Sequence, residues 1–276
     1  MVWLKELSVI PETLSSDFLL VARTLLEDIT MFGISGAGYD TSTGIFSPEG
    51  RIFAAEYAKK AVEQGATSIG VLAKDGVILL AEKRVLPLQE PDSVEKISKV
   101  DDHIGVATSG FMADARQLIQ EARVKAQSFW LTFEEPISGE ALAEHICNEK
   151  VTRLSLDMRQ GGRPYGVALL IGSVDLDGKP RLFMTDPVGY HWGYLAGVIG
   201  RGSTQAGEYL EKHYKRTLKM PEAIRLALGA LRQVTDSELD KENVEIAQIP
   251  VKTGKFYRLS YAEIESYLTS EETTKE

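Results

Sequence analysis

The chain is organised around residues 39–65, which read YDTSTGIFSPEGRIFAAEYAKKAVEQG. Pro48 and Gly50 mark a turn, because proline fixes its own φ angle and glycine adopts backbone angles that other residues avoid. After this turn, apolar side chains recur at helical spacing: Ile52, Phe53, Tyr57, Ala61 and Val62. Gly65 follows at a position where glycine commonly ends a helix. The segment therefore predicts a tight turn that leads into a short amphipathic helix.

The size and charge of the chain exclude several classes of protein. Its 276 residues are 43% hydrophobic, which is enough apolar material for one large domain or two modest ones. The formal net charge is −9. Nucleic acids and anionic membranes both attract a concentrated positive field, so neither is predicted as a main partner.

Cysteine and histidine usage argues against a disulfide framework and against a metal site. Cys147 is the only cysteine, so no internal disulfide can form, and a reducing cytosolic compartment is predicted. The four histidines lack the spacing of metal ligands: His103, His145, His191 and His213. No apolar run approaches the roughly 20 residues needed to cross a bilayer. We therefore predict no metal, no cofactor and no membrane segment.

From residue 66 onward, blocks with strand periodicity alternate with blocks of helical periodicity. Strands are predicted at 67–72, 77–81, 97–100, 103–108, 165–174, 181–185, 190–199, 246–251 and 256–259. Helices are predicted at 114–130, 138–157, 203–214, 221–234 and from 262 onward. Several strands are apolar without strict alternation, which indicates sheets covered on both faces. This order favours an α+β fold in which two stacked sheets carry a helical layer outside each, a four-layer αββα sandwich.

Two local features refine this reading. Asp75-Gly76 between the first two strands predicts the turn of a β-hairpin. In the helix at 138–157, Ser138 is the expected N-cap. The buried stripe of that helix is expected to be Leu142, Ile146, Cys147, Val151 and Leu154.

Several strings within the chain are more specific than its periodicity. They are Tyr39-Asp40, FSPEGR at 46–51, EYA at 56–58, GATSIG at 65–70, SVEKI at 93–97, TSG at 108–110, ADAR at 113–116, RPYG at 163–166 and DPVG at 186–189. Together they resemble the pattern of proteasome alpha-type subunits over most of residues 39–260. The resemblance implies the N-terminal-nucleophile hydrolase fold, which is a four-layer αββα sandwich. The strings EKR at 82–84 and HIG at 103–105 look most like the eukaryotic alpha-five type, and a related archaeal alpha subunit is the alternative.

The resemblance divides the chain into three parts. Residues 1–38 would form an N-terminal gate extension, 39–260 the alpha-type domain, and 261–276 a polar C-terminal helix and tail. Alpha-type subunits usually begin near the position of Met31, so residues 1–30 are either a start-site artefact or a genuine tail near the channel mouth. A helix capped by Ser15 or Ser16 is predicted within them.

By resemblance, two groups of residues carry the function. Tyr39, Asp40, Pro48 and Tyr57 would hold the gate of the axial channel; the arginine that commonly follows Tyr-Asp in the family is Thr41 here, so its contact is in question. Lys96 would lie in a pocket between adjacent alpha subunits and receive the C-terminal carboxylate of an activator such as a ring ATPase. Gly65 and Gly110 would leave room for the entering tail, and Phe111 or Met112 would offer an apolar wall.

The catalytic residue of the fold is not expected in this chain. Active beta-type subunits expose an N-terminal threonine whose free α-amine acts as the general base. By alignment with that pattern, Ala66 occupies the nucleophile position, and Thr67 lies one residue later inside the chain. The chain is therefore predicted to be a non-catalytic subunit, and a self-processing hydrolase cleaved before Thr67 is the alternative.

The expected partners follow from the same resemblance. They are the other alpha subunits in a ring of about seven, the proteasome beta subunits, and the C-terminal tails of activators. The expected compartment is the cytoplasm, and also the nucleus if the source is eukaryotic. A third alternative is a free-standing protein that binds phosphate through the glycine-containing loop at 200–207, although that loop lacks a P-loop lysine.

Overall fold

A computed structural model describes residues 46–155, 162–235 and 238–272. The predicted N-terminal helix, Tyr39, Asp40 and Thr41 lie outside these described residues. The Pro48 turn, the Lys96 segment and the loop at 200–207 lie within them.

The described residues form two antiparallel sheets and six α-helices. The helices are α1 (Phe53–Glu63), α2 (Met112–Phe133), α3 (Gly139–Ser155), α4 (Ser203–His213), α5 (Met220–Arg232) and α6 (Tyr261–Glu272). The strands are β1 (Ser68–Ala73), β2 (Gly76–Glu82), β3 (Ile97–Asp101), β4 (Ile104–Gly110), β5 (Val167–Val174), β6 (Pro180–Thr185), β7 (His191–Gly193), β8 (Ala196–Ile199), β9 (Val244–Pro250) and β10 (Tyr257–Arg258). The predicted elements agree with these in type and order, except that the one strand predicted at 190–199 is two strands.

The two sheets stack face to face, with helices on both outer faces. The first has the strand order β10-β9-β2-β1-β8, and the second has the order β3-β4-β5-β6-β7. An apolar layer between them includes Val77, Leu79, Leu170, Leu182 and Ile249. A second layer packs α4, α5 and α6 on the first sheet, and a third packs α2 and α3 on the second. The predicted four-layer αββα arrangement is confirmed.

Helix α1 lies at one end of the sandwich rather than in either helical layer. It contacts β4 and β5 of the second sheet, and Val62 reaches the apolar layer between the sheets. The Gly65 N–H donates to Val62 O at 2.9 Å at the end of this helix, and β1 begins shortly afterwards, at Ser68. The predicted turn and helix are thus joined to the rim of both sheets.

The predicted strand at 190–199 is two strands that belong to different sheets. β7 pairs with β6 in the second sheet, whereas β8 pairs with β1 in the first. The backbone changes sheets between them: the Tyr194 N–H donates to Leu182 O, and Leu195 O accepts from the Leu72 N–H, both at 2.8 Å. Periodicity alone does not reveal this change of sheet, because both strands are extended.

Two further expectations need correction. The turn between β1 and β2 consists of Lys74 and Asp75, since Gly76 already pairs with Ala73. In α3, Val151 is 46% exposed and Lys150 is fully buried instead. Lys150 can be buried in place of Val151 because hydrogen-bond acceptors surround its ammonium. Ser138 does cap the helix, because its Oγ accepts the Ala141 N–H at 3.2 Å.

Within the described ranges, no helix combines the length and the apolar character that crossing a bilayer requires.

Candidate functional site

The turn around Pro48 is closed by its own hydrogen bonds. The Ser47 N–H donates to Arg51 O at 2.8 Å, and the Gly50 N–H donates back to Ser47 O at 2.8 Å. The Ser47 hydroxyl oxygen also accepts the Arg51 N–H at 3.1 Å. Gly50 has a φ of +77°, which a residue with a side chain rarely adopts. Pro48 is exposed at the apex, so the turn presents it outward on a defined backbone.

An exposed ion pair ties this turn to α1. The Arg51 guanidinium donates to both carboxylate oxygens of Glu56, at 2.7 and 2.5 Å. The hydrogen bond from Arg51 is the main reason that the pKa of Glu56 is lowered. Tyr57 follows on the same helix and is 51% exposed. Two of the four gate residues predicted from sequence, Pro48 and Tyr57, thus lie on one turn-and-helix unit.

Lys96 is a buried cation with an unusual contact. Lys96 as a whole is 6% exposed, and its Nζ donates to the Met112 Sδ at 3.4 Å. Among the residues that the structure describes, no carboxylate oxygen lies within 4 Å of this ammonium. Burial lowers the pKa of Lys96, and Arg84 lowers it further, whereas Glu82 and Glu245 oppose the shift. The site therefore holds a desolvated positive charge that lacks a close anionic partner within the described chain.

Two residues that sequence reasoning missed surround the backbone of Lys96. Glu245 in β9 accepts the N–H groups of both Lys96 and Ile97. Arg258 in β10 donates to Ile97 O at 2.5 Å and forms an ion pair with Glu95. Both residues lie about 150 positions beyond Lys96, so no local motif connects them to it. The one available signal was a charged residue, Glu245, near the start of a strand in which Gln248 is the only other polar residue.

Gly65 and Gly110 lie where two backbones approach closely. A Cβ atom on Gly65 would lie 2.4 Å from Ser109 Oγ and 2.5 Å from the Gly110 nitrogen. Gly110 has a φ of +114°, and a Cβ atom there would lie 2.1 Å from Gly166 O. Atoms of Ser109, Gly110 and Gly166 therefore occupy the space that a Cβ atom on either glycine would need. These glycines join the end of α1 to the end of β4, and space for an entering tail stays a prediction.

Phe111 stands at the start of α2, next to Met112, and is 57% exposed. The Arg163 guanidinium lies 5.7 Å from the centre of its ring and donates to both oxygens of Asp114, at 2.6 and 2.7 Å. The Gly166 N–H donates to the same carboxylate at 2.8 Å. Burial alone would raise the pKa of Asp114, but the hydrogen bonds from Arg163 and Gly166 prevail and lower it. An exposed aromatic ring is thus held beside the residue that contacts Lys96.

Comparison with known proteins agrees with this architecture. A family model described as "Proteasome subunit" matches residues 62–249. The chain belongs to the proteasome subunit family. Three relatives carry the name "Proteasome subunit alpha". That of Methanosarcina acetivorans is 43% identical over 84% of this chain and 92% of the relative. That of Methanothermobacter thermautotrophicus is 44% identical over 85% and 94%, and that of Natronomonas pharaonis is 46% identical over 83% and 89%. These relatives are archaeal alpha subunits, as in the second of the two alternatives.

Ala66, which aligns with the family's catalytic threonine, and Thr67, the next residue, both lie inside the chain. Thr67 is fully buried, and its hydroxyl donates to Arg201 O at 2.7 Å. Its nitrogen is a peptide N–H that lies 3.4 Å from Glu82 Oε2. An amide nitrogen has no basic lone pair, so it cannot take the proton of a neighbouring hydroxyl.

Two further groups of residues, the Ser109 hydroxyl with the His103 imidazole and the loop at 200–207, do not form a catalytic pair or an open phosphate loop. The Ser109 hydroxyl donates to Ala66 O at 2.9 Å, and His103 Nε2 donates to Ile137 O at 2.8 Å, so the two side chains are not partners. In the loop at 200–207, the Arg201 N–H donates to Gly65 O at 2.9 Å. Gly202 is the N-cap of α4 with a φ of +69°. This loop is a tight strand-to-helix turn that packs against the start of β1.

Proposed function

We propose that this chain is a non-catalytic subunit of the alpha ring of a proteasome core particle, where it gates the substrate channel and receives the C-terminal tails of activators. The observation that carries the proposal is Lys96, a residue that is 6% exposed and whose ammonium contacts a methionine sulfur. A desolvated ammonium without a close anion pairs favourably with a carboxylate that arrives at the end of a chain. The exposed ring of Phe111 offers apolar surface nearby for the residues that precede such a carboxylate.

The gating proposal rests on the unit formed by the Pro48 turn and α1. The turn is closed by three hydrogen bonds and tied to the helix by the Arg51–Glu56 pair, so displacement of the helix would carry Pro48 with it. Pro48 and Tyr57 are exposed on this unit. In the proposal they meet Tyr39 and Asp40 of a neighbouring copy when the gate opens. An activator shifts this equilibrium only if it binds the open state more tightly than the closed state.

The proposed partners are the neighbouring alpha subunits of a ring of about seven, the proteasome beta subunits and activator tails. A surface consistent with subunit contacts lies near the end of α2, where Trp130, Leu131 and Phe133 are each at least 50% exposed. Large exposed apolar side chains that cluster in this way are typical of surfaces covered by another chain. The proposed compartment is the cytoplasm.

The non-catalytic role is tested by the mass of the chain in an active particle. We expect co-expression with a proteasome beta subunit to give a particle that hydrolyses peptides while this chain keeps the residues that precede Thr67. The reason is that the Thr67 nitrogen stays in a peptide bond and cannot act as a general base. Intact-mass spectrometry of the purified particle, together with its rate of peptide hydrolysis, makes the measurement.

The matched control is the beta subunit, in which replacement of the N-terminal threonine should abolish peptide hydrolysis. A mass that corresponds to cleavage before Thr67, with hydrolysis that survives loss of the beta threonine, would instead establish a self-processing hydrolase.

A further inference from the structure

Two side chains from the C-terminal part of the chain form hydrogen bonds and an ion pair with residues 95–97. We infer that Glu245 and Arg258 are positioning residues, which hold the Lys96 ammonium where an incoming chain-terminal carboxylate can reach it. This inference rests on the proposed function of Lys96 and extends it to residues that never touch the tail. The pair Glu245 and Arg258 is called the clamp below.

The glutamate of the clamp fixes two consecutive peptide groups. Glu245 Oε2 lies 2.9 Å from the Lys96 nitrogen and 3.3 Å from the Ile97 nitrogen, and both N–H groups donate to it. Glu245 is 5% exposed, and 149 residues separate it from Lys96. β9 belongs to the first sheet, whereas β3 is an edge strand of the second. The contact therefore ties the start of an edge strand, which has a partner on only one side, to the opposite sheet.

The arginine of the clamp contacts the same segment and also the glutamate of the clamp. Arg258 Nη2 donates to Ile97 O at 2.5 Å, and its Nε lies 3.1 Å from Glu245 Oε1. The same guanidinium pairs with the Glu95 carboxylate. Arg258 thus contacts the residues on both sides of Lys96, through the Glu95 carboxylate and the Ile97 carbonyl oxygen.

The charges around Lys96 make the role of Glu245 electrostatic as well as mechanical. Charged groups near the Lys96 ammonium are Arg84, Glu82 and Glu245, and the contact from α2 is the uncharged Met112. Burial and Arg84 disfavour the ammonium form, whereas Glu82 and Glu245 favour it. Glu245 in turn faces Lys83 and Arg258, and burial raises its pKa against their effect. Loss of the Glu245 charge would therefore make the Lys96 ammonium easier to deprotonate.

The outer side of the clamp faces open space, which makes the clamp amenable to substitution. Arg258, Glu95 and Glu245 line a cavity of about 270 Å³, and the Arg258 side chain is 42% exposed. Water can therefore replace the Arg258 guanidinium without leaving an empty hole in a packed core. Arg258→Ala is the safer of the two clamp variants for folding, and Glu245→Gln keeps the shape of the side chain.

The test uses particles assembled from this chain and a beta subunit. The probe is a short synthetic peptide with apolar residues before a free C-terminal carboxylate, and hydrolysis of a small fluorogenic peptide is the readout. We expect Arg258→Ala and Glu245→Gln each to raise the half-saturating peptide concentration about tenfold, as for loss of one charge-assisted contact. Stimulation of each particle is expressed relative to the unstimulated rate of that same particle. For Glu245→Gln, the pH above which stimulation disappears should also fall, a shift that a purely structural defect would not produce.

Lys241→Ala is the matched control, because Lys241 forms an exposed ion pair with Glu265 away from Lys96. If Lys96→Ala abolishes stimulation while both clamp variants keep the wild-type half-saturation and pH limit, the clamp is wrong and the proposed function stands. If Lys96→Ala responds like the wild type, the proposed function itself fails. Should Glu245→Gln not assemble, the half-saturation of Arg258→Ala alone decides.

Discussion

Replacement of Lys96 by alanine is expected to abolish the stimulation of the assembled particle by a peptide with a free terminal carboxylate. Lys96 is buried, and its ammonium contacts Met112 Sδ at 3.4 Å rather than a carboxylate. In such surroundings a charge-assisted hydrogen bond contributes about 1.5–3 kcal/mol, or roughly a 10- to 100-fold change in affinity. At the peptide concentration that half-saturates the wild type, we therefore expect about a tenth or less of the sites to be occupied and stimulation to be lost. Hydrolysis without the peptide should stay at the wild-type rate.

Lys99→Ala offers a matched control on the same strand. Lys99 is an exposed lysine of β3 that pairs with Asp102 at 2.5 Å, so its removal takes away an equal charge without touching the buried site. Amidation of the peptide carboxylate should reproduce the effect of Lys96→Ala on the wild-type particle. Equal stimulation of the Lys96→Ala and Lys99→Ala particles would remove Lys96 from the account.

Replacement of Lys150 by alanine is expected to destabilise the protein by about 3–5 kcal/mol. Lys150 lies in α3 and is fully buried. Its ammonium donates to Val167 O, Thr185 Oγ1 and Asp186 O, at distances of 2.9–3.0 Å. Alanine would leave these three oxygens without that donor and would create a cavity between α3 and the second sheet. Chemical denaturation of the purified protein at matched concentration makes the measurement, and Lys179→Ala, which removes a largely exposed lysine, is the control.

The same residue gives the stability a pH dependence of known sign. Burial lowers the pKa of Lys150 from its ordinary value of 10.5 to about 8, although Cys147 and Asp186 oppose the shift. Between these two values the unfolded chain binds more protons than the folded chain, so the free energy of unfolding rises with pH. Relative to Lys150→Met, the wild type should gain up to about 3 kcal/mol as pH increases from about 8 to about 10.5. A flat difference over this range would mean that Lys150 titrates near its ordinary pKa.

The elements of this fold were predictable wherever periodicity was strong. The turn at Pro48, helix α1 and the β1–β2 hairpin depend on local spacing, and the structure places all three close to their predicted positions. The same reasoning was wrong for residues 190–199. The change of sheet between β7 and β8 depends on the strands with which they pair, and local spacing does not show it.

The candidate site was predictable only in part, for a similar reason. Lys96 and the apolar wall beside it were identified by resemblance, whereas the residues that hold the Lys96 backbone could not be read from the sequence. Glu245 and Arg258 act on it across the two sheets, over a separation that no motif spans. Lys150 was missed for another reason. A lysine next to Val151 looks like a solvent-exposed residue of an amphipathic helix, and only the structure shows the three oxygens to which its ammonium donates.

The central claim, that this chain shapes and gates the entrance of a proteasome core particle, is tested most directly by the native mass of the particle formed on co-expression with a beta subunit. The account predicts closed rings that contain about seven alpha-type subunits, each copy of this chain retaining the residues before Thr67, stacked on rings of beta subunits. A chain that stays monomeric, or one recovered only after cleavage before Thr67, would contradict it.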